Sequence, residues 1–323
     1  MNKGRYLVPN DFMADPSAHV FENKIYIYPS HDWESGILEN DHGDHFDMKD
    51  YHVFSMDDMD AEAVDHGKVL DVADIPWGGR QLWDSDVATK NGKYYLYFSL
   101  KDQTDVFRLG VAVSDTPYGP FIPEENPIKG SYSIDPCAFQ DDDGSHYLYF
   151  GGIWGGQLQY YRNNKMTYPM DLPHWHDLAL CPKVVKLTED MLQFDEEPKD
   201  LVILDQEGNP LKQGDLDRRF FEASWMHKFG DKYYFSYSTG DTHLLCYAIG
   251  DNPYGPFTYQ GVILTPVVGW TTHHSILQFK EKWYLYYHDC VPSGGKTWLR
   301  SMKVVELEYD EKGLIKTMDG QEC

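Results

Sequence analysis

Five times along the chain a short run dense in tyrosine and phenylalanine follows a lysine or histidine. The runs are Lys24-Ile-Tyr-Ile-Tyr28, Lys93-Tyr-Tyr-Leu-Tyr-Phe-Ser99, His146-Tyr-Leu-Tyr-Phe150, Lys232-Tyr-Tyr-Phe-Ser-Tyr237 and Lys282-Trp-Tyr-Leu-Tyr-Tyr287. Runs this short, bounded by turn residues and rich in aromatics, predict strands. Each is preceded by another short strand that opens on a polar residue: Asp15, Asp86, Asp135, Glu222 and His274. Asn91-Gly92, Asp143-Gly144 and Gly230-Asp231 sit between the two strands, where hairpins favour a positive φ. Later strands repeat as well. Arg108–Phe121 and Leu244–Phe257 both end in Pro-Tyr-Gly-Pro-Phe, which predicts a third strand, a turn and a fourth. Tyr51–Met56, Leu158–Arg162 and Trp298–Leu307 are expected to be third strands of the remaining units. No pattern predicts a helix longer than about two turns.

A strand-rich repeat spaced by tens of residues is the signature of a radial β architecture. The expectation is an all-β fold, a five-bladed β-propeller forming a single domain over 1–323. In a propeller the first strands line the axis, so the five polar openings are expected to converge there.

Two segments look too long for simple turns. Residues 33–50 carry Glu34, Asp41, His42, Asp44, His45 and Asp47 without regular ligand spacing, so a solvated loop is favoured over a metal site. Residues 163–219 separate the third and fourth openings. Both are expected to wall a pocket above the axis.

Composition narrows the partners. The formal net charge of −24 argues against nucleic acid and against an anionic membrane, both of which demand a basic face. No apolar run approaches the ~18 residues of a membrane span. The five cysteines are odd in number and widely spaced, which favours free thiols in a reducing compartment. With no leader pattern in the sequence, the expected location is the cytoplasm. Oligomeric state is not legible.

The ordered openings resemble those of glycoside hydrolase family 43. They are Asp15-Pro-Ser, Trp83 with Asp86, Ser133-Ile-Asp135-Pro, Glu222-Ala and His274, and the likeness runs from about Asp11 to Leu307. A single Asp-Pro carries no weight; five openings in order do. The resemblance implies a five-bladed propeller that cleaves β-xylosides or α-L-arabinofuranosides with inversion. It makes Asp15 the general base and Glu222 the general acid. Asp135 becomes a third carboxylate that raises the acid's pKa and orients it, and Asp86 a structural residue. It places a divalent cation, usually calcium, at His274, held mostly through water. His273, by strand alternation, is expected to point the other way. For the sugar site the resemblance singles out Trp83, from the family's Trp-x-x-Asp, and Arg300, late in the chain. Trp77 and Phe46 are added as aromatic walls that pack on sugar C–H faces.

The chemistry stands without the family. Inverting hydrolysis needs one carboxylate to activate water and one carboxylic acid to protonate the leaving oxygen, held ~6.5–9.5 Å apart. Residues from different blades around one axis can supply that gap. The sugar comes from the resemblance, which makes the expected substrate a xylo-oligosaccharide cut from its non-reducing end, with an α-L-arabinofuranoside as the close alternative. A non-catalytic sugar-binding propeller is the alternative of another class, and it loses support because neither Asp15 nor Glu222 is missing. Retaining fructan-active propellers open on Trp-Met-Asn-Asp-Pro-Asn, which Phe12-Met-Ala-Asp-Pro-Ser17 does not match.

Overall fold

In the computed structural model, which describes residues 3–170, 172–270 and 273–323, the strands form five sheets. A short β1 (Arg5–Tyr6) precedes the first full blade, β2 (Met13–Phe21), β3 (Lys24–His31), β4 (Asp50–Met56) and β5 (Val64–Asp71). Blade two is β6 (Gly78–Lys90), β7 (Lys93–Asp102), β8 (Phe107–Ser114) and β9 (Ile122–Pro123). Blade three is β10 (Cys137–Gln140), β11 (His146–Phe150), β12 (Lys183–Lys186) and β13 (Lys199–Asp200). Blade four contains β14 (Ile203–Leu204), β15 (Glu222–Phe229), β16 (Lys232–Ser238), β17 (Leu245–Gly250) and β18 (Phe257–Leu264). Blade five is β19 (Ser275–Phe279), β20 (Lys282–Asp289) and β21 (Ser301–Leu307), completed by β1 on its outer edge. The chain is a five-bladed β-propeller and a single domain.

The aromatic runs are the second strands, and they read as solid apolar blocks for a physical reason. Each lies mid-blade with a neighbouring blade on either face, so alternation gives way to burial on both sides. Tyr94–Lys101 of β7 is buried throughout. The tyrosines also need partners for their hydroxyls. Tyr28 on β3 donates to the Pro117 carbonyl at 2.6 Å, and Tyr149 on β11 donates to the Pro253 carbonyl at 2.9 Å. The Pro-Tyr-Gly-Pro turns of blades two and four thus dock on the preceding blade in the same way.

Two expectations fail in blade three. Leu158–Arg162 is not a strand; Leu158–Tyr160 is a single 3-10 turn, and the third strand is Lys183–Lys186. The segment 163–219 therefore does not wall the axial pocket, which none of its described residues lines. It carries the two outer strands of blade three and β14, which pairs in parallel with β18.

Candidate active site

The inner strands open irregularly, and this aims the functional groups. Register slips fall between Ala14 and Ser17 in β2, between Leu82 and Ser85 in β6, and between Glu222 and Trp225 in β15. Such bulges bend a strand and redirect a side chain. Asp15 (φ 49°), Asp135 (φ 58°) and Ala223 (φ 66°) adopt left-handed backbone, at ~1–2 kcal/mol each. The surrounding blades hold that strain at the axial end of the strands, where it turns the carboxyls inward.

Counting back from the hairpins shows which residues share a level. Asp15, Asp84 and His273 each stand six residues before the residue that closes their hairpin, namely Phe21, Lys90 and Phe279. Ala223, next to Glu222, stands six before Phe229. The sequence reading chose Asp86 and His274, which lie deeper. Asp84 and His273 are the residues it missed at the pocket. The repeated hairpin spacing was the signal that would have found them.

One pocket of about 230 Å³ gathers Asp15, Asp84, Asp135, Glu222, His273 and Arg300. Phe46 and Trp83 line it as expected. The loop 33–50 contributes Glu39, Asp41 and Phe46 to the wall, so this segment does flank the pocket. Trp83 donates its indole N–H to the Phe46 carbonyl at 2.8 Å and meets the Phe46 ring edge-on. Gly43 permits this. Its φ is +69°, and a Cβ there would sit 2.6 Å from the Trp83 ring. Trp77 does not belong to the site. It stacks on Phe98 at 5.9 Å and packs on the core between blades one and two, because the bulges that follow it in β6 carry only the later residues to the axis.

Arg300 organises one side. Its guanidinium forks onto Asp32, with Nε to Oδ2 at 2.9 Å and Nη2 to Oδ1 at 2.7 Å, and its own N–H donates to Asp32 at 2.8 Å. Nη1 donates to Asp15 Oδ1 at 2.8 Å. The Phe46 ring lies 5.0 Å from the guanidinium carbon. Asp15 Oδ2 is buried without a hydrogen-bond partner, so it is the oxygen left for chemistry. The Asp15 N–H donates to His288 Nδ1 at 3.1 Å, so that nitrogen acts as an acceptor and is not an ion-pair partner of the carboxylate.

The carboxyls differ in environment. Burial raises Asp15 well above the ordinary range, opposed by the Arg300 charge. Glu222 is pushed up to about 7, by burial first and then by the charge of Asp84, and its Oε1 is buried and unpartnered. Asp135 is also raised, by burial and then by Asp84; its Oδ2 accepts the Ala223 N–H at 2.7 Å. Asp84 goes the other way. Burial would raise it, but the His273 Nδ1 at 2.9 Å overrides burial and holds it low. His45 falls to about 4 through burial and the nearby Arg300.

Beside burial, the charge of Asp84 raises Glu222, and Asp135, which is also raised, tethers the peptide that follows Glu222 through its Oδ2.

Asp86 takes no part in the pocket. Its carboxylate accepts from Ser17 Oγ and from the Ala138 N–H at 2.6 Å and meets His19 at 2.5 Å, pinning blades one, two and three together. His274 is fully buried below the pocket. Its Nε2 meets Ser236 Oγ at 2.6 Å, and its Nδ1 has no hydrogen-bond partner. As expected, His273 points away from it, but His273 is the one that faces the pocket.

Among the described residues, two groups have spacing that could hold a metal: Asp15 with Asp84 and His273, and His31 with Asp50 and His52. The second group lies at the two ends of the loop 33–50. It is outside the pocket, and His31 Nδ1 is engaged by Asp50 at 2.6 Å.

A ring of buried carboxyls with opposed pKa shifts, at the axis of a propeller and beside aromatic walls, defines a hydrolase of glycosidic bonds. The sequence profile of glycosyl hydrolases family 43 matches residues 7–315, and the chain belongs to that family. It is 70% identical over 319 residues to a xylosidase/arabinosidase of Bacteroides ovatus, covering 98% of each chain. It is 62% identical over 318 residues to a β-xylosidase of Xylanibacter ruminicola, covering 98% of this chain and 99% of that one. Among solved structures, the RS223 β-xylosidase superposes with a TM-score of 0.98 at 71% identity, covering 99% of each chain. A β-xylosidase/α-arabinofuranosidase from a compost metagenome, solved with xylotriose in a calcium-free form, gives 0.96 at 58% identity, covering 99% of each chain.

Proposed function

We propose that this protein is an inverting, exo-acting β-xylosidase that releases xylose from the non-reducing end of short β-1,4-xylo-oligosaccharides. The observation that carries the reading is the contrast between Asp15 and Glu222 within one pocket. Asp15 is gripped by Arg300 through one oxygen and leaves the other free to take a proton from water. Glu222 is kept protonated near neutrality and has a free oxygen to donate to the leaving group. Water attacks the anomeric carbon and passes its proton to Asp15. Glu222 gives its proton to the departing oxygen, so the anomeric configuration inverts. A small pocket walled by the loop 33–50 suits a chain end, which supports exo action. The names and xylotriose complexes of close relatives support the xylose reading.

Hydrolysis of 4-nitrophenyl β-D-xylopyranoside, followed by proton NMR of the first-formed sugar, tests it. α-Xylose is expected first; β-xylose overturns the mechanism. A second reading, α-L-arabinofuranosidase activity in the same pocket, is favoured by relatives named for both activities. The ratio of kcat/KM on the two nitrophenyl glycosides decides the main activity.

The implied calcium fits His274 in a limited way. Its unpartnered, buried Nδ1 offers one ligand. A hard cation takes six to eight oxygens, so water would supply the remainder. The ion, when bound, would supply positive potential beneath the carboxyl ring. We also assign the protein to the cytoplasm. Cys137, Cys246 and Cys290 are buried free thiols, which suits a reducing compartment. Cell fractionation tests this, and recovery outside the cytoplasm overturns it.

A further inference from the structure

Neither Asp84 nor His273 gives or takes a proton in the two-carboxylate scheme, yet both are buried and both line the pocket. Asp84 comes from blade two and His273 from just before β19 of blade five. Those blades flank blade one, so the pair closes across the axis beside Asp15. One ligand atom from each of Asp15, Asp84 and His273 lies within 4.8 Å of the other two. A single oxygen standing off the plane of three points so spaced can reach all of them at a hydrogen-bond distance of about 2.8 Å. Asp15 Oδ2 is unpartnered, so this cradle adjoins the very group that activates water.

We propose that the cradle holds the attacking water and that Asp84 is its positioning residue. A water has two protons. With one donated to Asp15 and the other to Asp84, its lone pair is turned to the remaining side, toward the anomeric carbon. His273 fixes Asp84 by donating from Nδ1 at 2.9 Å, so the second acceptor cannot rotate away. No bond changes at Asp84. The proton released on attack goes to Asp15, and the oxygen becomes the new anomeric hydroxyl. The inference rests on the inverting reading above and adds to it a residue that aims the nucleophile.

The test compares Asp84→Asn and Asp84→Ala with the native enzyme, using kcat, KM, the inhibition constant of xylose and Tm. Misplacing a nucleophile by about 1 Å costs on the order of 100-fold in rate. Asp84→Ala is therefore expected to lower kcat roughly 100-fold on xyloside and arabinofuranoside alike, with KM and xylose inhibition within about threefold of native. Asp84→Asn keeps one acceptor oxygen and is expected to fall between. A fall in Tm with native kcat in the folded fraction would make Asp84 purely structural and overturn the proposal. A large rise in the xylose inhibition constant would overturn it too, by making Asp84 a sugar ligand. Failure of the underlying reading shows separately, as β-xylose formed first or turnover by Asp15→Ala. An inverting enzyme that needs Asp15 and ignores loss of Asp84 refutes only the water-positioning role.

Discussion

Arg300 Nη1 lies 2.8 Å from Asp15 Oδ1, across 285 positions of sequence. The guanidinium is at the same time forked on Asp32, so its position is set before it touches Asp15. A lysine cannot reproduce that planar fork. Arg300→Lys is expected to lower kcat/KM at least 100-fold. Removing one partner of a buried ion pair costs about 3–5 kcal/mol, so Arg300→Ala and Asp32→Ala should also lower Tm by several degrees or more. Native kcat/KM in Arg300→Lys would show that Asp15 needs no such grip.

Base and acid separate by leaving group. Asp15→Ala is expected to lose activity on every substrate, since no other group takes the proton from water. Glu222→Ala is expected to lose far more on xylobiose than on a dinitrophenyl xyloside, whose leaving group needs little protonation. Steady-state kinetics on both substrates checks this. Equal losses in Glu222→Ala would reassign the acid.

The pH profile of kcat/KM should be bell-shaped. Asp15 must be ionised, so activity falls on the acid side. Glu222 must be protonated, so activity falls as pH rises through about 7. The same shift bears on stability. The folded pKa of Glu222 lies above its ordinary value of 4.5, so the native state keeps a proton that the unfolded chain has released. That contribution is complete below about 4.5 and is lost as pH rises through about 7. Tm should decline over this window more steeply in native enzyme than in Glu222→Gln. Parallel slopes would show that Glu222 is not held up.

Metal removal addresses His274. Exhaustive chelation is expected to lower kcat and leave Tm nearly unchanged, since five packed blades do not depend on one ion. Calcium should restore the rate. His274→Ala should resemble the chelated enzyme and respond little to added metal. Full activity after chelation, with no ion found by elemental analysis, would leave His274 as a water-binding residue.

The propeller and three of its carboxyls were legible because strands buried on both faces write their apolar runs into the sequence. Asp15, Asp135 and Glu222 stand at or near the opening of the strand that precedes each run. Asp84 and His273 were missed because they lie two residues and one residue before Asp86 and His274, and an irregular strand opening shifts side chains by that much without leaving a mark in composition. Asp32 was invisible because nothing local links it to Arg300. Trp77 looked like a sugar platform because an aromatic residue reads the same whether it faces a core or a cavity. Leu158–Arg162 has the alternation of a strand, but its turn at Gln157, with φ of 65°, folds it back as a 3-10 segment.

The ring is fastened by its two ends, with Arg5 and Tyr6 of β1 paired to Val304 and Lys303 of β21. This sets an order of events during translation. The base and the acid leave the ribosome before the arginine that grips the base and the strand that receives β1. A prematurely terminated product would thus carry the reactive carboxyls but no assembled centre, and its first strand would remain an open edge. Competence to hydrolyse arrives in one step, with the final blade.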